Sequence, residues 1–100
     1  MKNNYKISKK ALFDLKNIWK YTKKKWSKEQ ADRYYILLTS EIVYISNNIL
    51  SGKNFESYRE NYRTVNVKSH IIFYRIRDNN CIEIVRILHQ RMDLKSRLND

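Results

Sequence analysis

The chain has 100 residues, which suits a single domain over residues 1–100, and 42% of them are hydrophobic, enough for one core. Cys81 is the only cysteine, which excludes an intrachain disulfide and a thiolate zinc site, and no apolar run is long enough to span a bilayer. A net charge of +11 favours an anionic partner such as nucleic acid or an acidic protein; without a signal peptide or a membrane span, we expect a cytoplasmic protein with no membrane role.

The first predicted elements are a short strand at residues 5–8 and a helix over residues 10–25, with Ser8 placed to cap the helix. Apolar side chains recur at the three-to-four spacing of one helix face, which predicts that both tryptophans belong to the core. The residues of this stripe are Ala11, Leu12, Leu15, Ile18, Trp19, Thr22 and Trp26.

A second amphipathic helix is predicted to follow at once. The segment from Ser27 to Gln30 has the form of a capping box, and Gly52 is predicted to supply a left-handed residue at the helix end. The apolar face consists of Ala31, Tyr34, Leu38, Ile42, Ile45 and Ile49. Because the connection is short, we expect the two helices to form an antiparallel hairpin.

The second half of the chain predicts three strands, at residues 62–68, 70–77 and 81–89. A turn at residues 78–80 pairs Arg75 with Glu83, Ile76 with Ile82, and Phe73 with Val85. The first strand must join this antiparallel meander because it has no other partner. The expected fold is therefore α+β in the order β-α-α-β-β-β, with residues 93–98 either a short C-terminal helix or an exposed tail.

The end of the last strand carries the residues most suggestive of function: Arg86, His89, Arg91 and Asp93. Arg86 shares its parity with apolar neighbours, and a charge in that position needs a partner or a ligand. One alternative is that Arg86 forms an ion pair with Asp93. For His89 the alternatives are a cap at the strand end, a contact to a target, and a catalytic group. A single glycine excludes glycine-rich phosphate loops, and two histidines make a poor ligand set, so no metal or other cofactor is expected.

Several local motifs, spread over almost the whole chain, together point to a known family. They are the segment from Tyr5 to Ser8, Ala11, Asp14, Leu15, Ile18, Tyr21, Thr22, Trp26, Gln30, Ala31, Arg63, the strand His-Ile-Ile-Phe-Tyr-Arg at residues 70–75, and the closing segment from Ile84 to Asp93. With these motifs the chain resembles the RelE/ParE superfamily of bacterial toxins, and the ParE branch in particular. The resemblance implies the toxin of a type II toxin–antitoxin pair, often described as a plasmid stabilisation protein. ParE-like members inhibit DNA gyrase and so block replication, and a ParD-like antitoxin with an acidic C-terminal segment neutralises them.

RelE-like members instead cut messenger RNA on the ribosome, which is the alternative function. In that case His89, Arg63 and Arg86 would supply the acid and the cations. The sequence offers no clearly positioned base, and the lysines that RelE-like nucleases place before and within their second strand are not evident. This favours a protein that inhibits its target by binding, with no catalytic residues and no small-molecule substrate. The predicted target-binding residues are Arg63, Arg86, His89, Arg91 and Asp93.

The antitoxin is expected on the helix hairpin. Tyr34 and Tyr35 are adjacent on a helix and cannot both point inward, so an apolar strip is left exposed there. An amphipathic antitoxin segment would bury such a strip, and its acidic residues would face a lysine-rich region. The predicted antitoxin-binding residues are Trp19, Lys23, Tyr35, Ile36 and Val43.

Overall fold

The computed structural model describes residues 5–92 and 97–98, without the side chain of Asn79. Its elements are β1 Tyr5–Ile7, α1 Lys9–Lys25, α2 Lys28–Asn47, β2 Lys53–Asn54, β3 Tyr62–Val67, β4 His70–Ile76, a 3-10 turn Asp78–Asn80, and β5 Ile82–His89. The strands form one sheet in the order β1-β5-β4-β3-β2, with β1 parallel to β5 and the other pairs antiparallel. The predicted α+β fold is confirmed, including the pairing of the first strand. The two-residue β2 was not predicted, and most of the suggested C-terminal helix lies outside the described residues.

Ser8 connects the start of α1 to the central part of the sheet. Its hydroxyl accepts a hydrogen bond from the Ala11 backbone N–H (3.0 Å) and donates one to the Val85 carbonyl (2.8 Å). The Ser8 backbone N–H also donates to the Ile84 carbonyl (3.0 Å). The cap therefore fixes where α1 begins and how it sits against β5.

We expect Ser8→Ala to destabilise the protein more than Ser27→Ala. The Ser27 hydroxyl makes only the capping contact among the described residues, accepting from the Gln30 N–H (3.1 Å), so its loss should cost about 1 kcal/mol. Ser8→Ala removes a cap of the same kind and also leaves the Val85 carbonyl without its donor, which adds about 1 kcal/mol. Urea unfolding of both variants measures the difference; equal losses would contradict a separate role for the contact to β5.

The packing face of α1 differs from the predicted one. Ala11, Asp14 and Leu15 are buried, whereas Leu12 is 52% exposed and Trp26 is 67% exposed. Apolar residues cover more than one side of this helix, and the small Ala11 allows close approach to the layer beneath it. The helix therefore packs on its Ala11–Leu15 side, and the prediction that Trp26 belongs to the core was wrong.

The predicted face of α2 is confirmed, but its predicted end is wrong. Ala31, Leu38, Ile42 and Ile45 are fully or almost fully buried. The helix ends at Asn47, with the backbone N–H of Asn48 donating to the Ile45 carbonyl (3.0 Å). Among the described residues no glycine has a positive φ, so Gly52 does not act as a left-handed cap.

The pairing of β4 with β5 explains how the chain accommodates Arg86. Arg75 faces Glu83 and Ile76 faces Ile82, as predicted, but the register shifts at Phe73, which faces Arg86 and not Val85. The extra residue is a bulge on β5, and it reverses the side-chain alternation beyond it. Ile87 consequently joins Ile82 and Ile84 in the core, and Arg86 does not occupy the core position that the simple alternation gives it.

Candidate functional site

Arg86 is held by a carboxylate of α1. Its Nε donates to Asp14 Oδ2 (2.9 Å) and its Nη2 to Asp14 Oδ1 (3.0 Å), while the Ile87 backbone N–H also donates to Oδ2 (3.0 Å). The two side chains are only 13% and 9% exposed. A bidentate pair of this kind satisfies both charges in a site that water hardly reaches.

Asp14 was not predicted as the partner of Arg86. The available signal was its position: a carboxylate three residues after Ala11, on the side of α1 that packs inward. The Arg86 Nη1 additionally donates to the Arg97 carbonyl (3.0 Å), which brings the last described residues to this site. Asp93, the partner considered from the sequence, lies outside the described residues.

Two histidines lie side by side at the adjacent strand ends. His70 on β4 pairs with His89 on β5, and their rings meet edge to face with centroids 5.3 Å apart. The Tyr34 hydroxyl of α2 lies 2.6 Å from His70 Nδ1 and 3.1 Å from the Val67 carbonyl. Since a carbonyl only accepts, both contacts are satisfied together when Tyr34 donates to Val67 and His70 donates from Nδ1 to the Tyr34 oxygen.

The same reasoning assigns the proton of His89. Its Nδ1 accepts the Arg91 backbone N–H (3.1 Å), so a neutral His89 carries its proton on Nε2. The contact also fixes the chain where it leaves β5, and the Arg91 side chain is exposed there. The pair therefore presents one Nε2 lone pair, from His70, and one Nε2–H group, from His89.

His70 should make stability dependent on pH. Burial, and secondarily the charge of His89, lowers the pKa of His70 from 6.5 to about 4, while Asp14 acts in the opposite direction. Between these values the unfolded chain binds a proton that the folded chain excludes, so stability should fall as the pH drops from about 6.5 towards 4. We expect urea midpoints between pH 7 and about pH 4.5 to fall less for His70→Gln than for the original chain. The same fall in both would contradict this assignment.

Arg63 lies apart from Arg86 and the histidines. It sits on β3, two strands away from β5, and its Nη1 donates to the carbonyls of Gly52 (2.5 Å) and Leu50 (3.3 Å). Its guanidinium thus holds the loop between α2 and β2. The structure brings Arg86 and His89 to one cavity of about 200 Å³, with Arg91 following directly, and leaves Arg63 elsewhere.

A groove of about 550 Å³ runs along the helix hairpin. Its lining residues are Leu12, Leu15, Lys16, Trp19, Asp32, Tyr35 and Ile36. Trp19 Nε1 donates to Asp32 Oδ1 (2.9 Å), which connects the helices at its floor, and Lys23 Nζ lies 5.3 Å from the Trp19 ring centroid. Val43, 38% exposed, is two turns beyond Ile36 on α2. Four of the five residues predicted to bind the antitoxin therefore lie in or beside this groove. Leu12, which was assigned to the core from sequence, also lines the groove.

Metal and membrane features are absent from the part of the chain that the structure describes. Over residues 5–92 and 97–98, no three His, Cys, Asp or Glu side chains come together in a way that would hold a metal ion. Within the same ranges, neither helix has the length and apolar character needed to cross a bilayer.

The chain matches known proteins over nearly its whole length. Residues 5–94 match the family model described as ParE toxin of type II toxin-antitoxin system, parDE. Toxin ParE1 of Caulobacter vibrioides is 36% identical, with 94% of this chain and 96% of that protein covered, and Toxin ParE1 of Mycobacterium tuberculosis is 35% identical, with 98% and 100% covered. Toxin ParE of Escherichia coli is 30% identical, covering 96% of this chain and 93% of its own.

A solved structure agrees in fold. The chromosomal ParDE TA system from P. aeruginosa contains a chain that superposes with a TM-score of 0.74 at 19% sequence identity, covering 86% of this chain and 94% of that one. Fold, family model and full-length relatives agree: the chain belongs to the ParE family, the toxins of type II toxin–antitoxin systems.

Proposed function

We propose that this ParE toxin acts by inhibiting DNA gyrase, which blocks replication, and that it does so by binding and not by catalysis. The observation that favours binding over RNA cleavage is the ion pair between Asp14 and Arg86. Cleavage of RNA requires cations that meet the charge developing on phosphorus. Arg86 already binds a carboxylate through two nitrogens and is 13% exposed, so it is poorly placed to serve a phosphate.

The target contact that we propose is the end of β5 and the segment that follows it. Arg91 is exposed beside His89, and Asp93 follows. Arg86 would support this contact by fixing α1 against β5, whereas Arg63 lies elsewhere and would hold the loop after α2. Because gyrase works on intracellular DNA, the proposal includes a cytoplasmic location.

Induced expression in cells carrying a reporter plasmid tests this proposal. We expect growth arrest together with broken plasmid and chromosomal DNA, and intact messages. Arg91→Glu should weaken the arrest, whereas the charge-matched Lys6→Glu, on the exposed face of β1, should not. New message ends within codons, mapped by primer extension and lost in His89→Ala, would overturn the proposal in favour of a ribosome-dependent nuclease.

We further propose that the cognate antitoxin neutralises the toxin by laying an acidic amphipathic segment into the hairpin groove. The groove supplies an apolar floor, and residues 9–33 of the helix hairpin contain nine Lys or Arg against three acidic residues. Opposite charge would speed association, and burial of the apolar strip would supply affinity.

Ile36→Glu should weaken antitoxin binding by about 30-fold or more, because it places a charge where an apolar contact of hot-spot size is expected. Ile36 is 62% exposed, so the fold should tolerate the change. Leu50→Glu is the matched control, at 67% exposure on the loop beyond α2, and should bind the antitoxin normally. Titration calorimetry with the cognate antitoxin measures both; equal weakening by the two variants would place the antitoxin elsewhere.

A further inference from the structure

A cavity of about 560 Å³ lies between the end of α1, the start of α2 and the turn from β3 to β4. Lys25, Arg33 and Lys68 contribute three cationic side chains to its lining, and among the described residues that line it none is acidic. The size falls within the range of small-ligand sites. The three positive charges favour an anionic ligand.

Two aromatic rings stand open at the rim of this cavity. Tyr21 is 61% exposed and Trp26 is 67% exposed. Lys25 Nζ lies 5.6 Å from the ring centroid of Tyr21 and 5.7 Å from that of Trp26. Open rings beside cations are the combination with which proteins stack successive bases while neutralising the phosphates between them.

The histidine pair forms part of the same lining. Each uses its Nδ1 internally, His70 on the Tyr34 oxygen and His89 on the Arg91 N–H, so in the neutral rings the Nε2 atoms remain for a ligand. His70 offers an acceptor and His89 a donor. A nucleobase edge also presents donors and acceptors side by side, whereas a carboxylate presents acceptors alone.

We propose that this cavity binds single-stranded nucleic acid, with bases stacked on both Tyr21 and Trp26, a base edge hydrogen-bonded by the histidine pair, and the adjoining phosphates bound by Lys25, Arg33 and Lys68. The exposed rings, which suit stacked bases, favour this occupant over an acidic peptide. The site would act without gyrase, so the inference goes beyond the proposed function and neither depends on the other.

The test uses fluorescence anisotropy of a labelled single-stranded DNA of about ten nucleotides, titrated with the full chain. We expect the single strand to bind more tightly than a duplex of the same length. Tyr21→Ala should weaken binding between about 5-fold and 140-fold, the usual effect of losing one stacked base. The control is Tyr44→Ala, a helical tyrosine that is 53% exposed and lies outside the cavity; it should bind as the original chain does.

A second pair of variants separates a defined site from general attraction by charge. Lys25→Gln should reduce the slope of log affinity against log salt by about 0.7, since one phosphate contact is lost, whereas Lys10→Gln, on the exposed first turn of α1, should leave the slope unchanged. Equal effects of Tyr21→Ala and Tyr44→Ala, or no preference for the single strand, would overturn the proposal. So would binding of an acidic peptide, and not of DNA, that depends on Tyr21.

Discussion

Replacing Asp14 with alanine should lower the free energy of unfolding by about 3–5 kcal/mol, the largest single effect that we expect in this chain. The Asp14 carboxylate binds the Arg86 guanidinium through both oxygens and also accepts the Ile87 N–H. Alanine would remove the carboxylate that balances a mostly buried cation, and with it the acceptor of a buried backbone N–H. Urea unfolding at neutral pH measures the loss.

Two companion variants show where the energy originates. Asp14→Asn keeps an acceptor for the Ile87 N–H but removes the charge, so it should lose less stability than Asp14→Ala. The double variant Asp14→Leu with Arg86→Met removes both charges and should recover most of the loss. A loss below about 1 kcal/mol for Asp14→Ala, typical of an exposed pair, would contradict the buried geometry.

Gly52→Ala should destabilise the protein by about 2–4 kcal/mol, combining overpacking with broken hydrogen bonds. A Cβ at this position would lie 2.5 Å from the Tyr74 hydroxyl oxygen. Tyr74 is fully buried, and its hydroxyl accepts the Gly52 N–H (2.9 Å) and donates to the Ile49 carbonyl (2.8 Å). The ring cannot withdraw without breaking both hydrogen bonds and disturbing the core.

The control for Gly52 is its neighbour. Lys53→Ala, on the exposed residue that follows Gly52, should change stability by less than about 0.5 kcal/mol. Thermal unfolding of the two variants side by side gives the comparison. If Gly52→Ala were as stable as Lys53→Ala, the close approach of Tyr74 to this loop would be contradicted.

Much of the fold was accessible from sequence because the signals were local. Helix starts at Ser8 and Ser27 follow from capping chemistry, and the pairing of Arg75 with Glu83 follows from the turn between them. The bulge on β5 was not accessible from the pattern of apolar residues, because that strand is apolar on both parities and a slip of one residue leaves the pattern unchanged. In the sequence, the bulge shows only in that simple alternation would place the charged Arg86 at a core position.

The surfaces were harder to predict than the strands. On α1 the choice between packing on Leu12 and packing on Ala11 depends on how closely the neighbouring layer can approach, which hydrophobicity alone does not encode. For the same reason the groove could not be predicted, because several of its lining residues are apolar and have the spacing of core residues. The role of Asp14 could not be predicted from local patterns, because its partner Arg86 lies 72 residues away in the chain. Residues that contact a target depend on the shape of that target, so the assignment of Arg91, His89 and Asp93 stays a proposal.

The proposed inhibition of gyrase is tested most directly by adding the purified full chain to DNA gyrase and supercoiled plasmid, denaturing the mixture and separating the DNA forms. We predict that linear and nicked plasmid accumulates with increasing toxin, that it requires gyrase, and that prior addition of the cognate antitoxin prevents it. Unchanged supercoiling activity with no broken DNA, at toxin in excess over gyrase, would contradict the proposed inhibition.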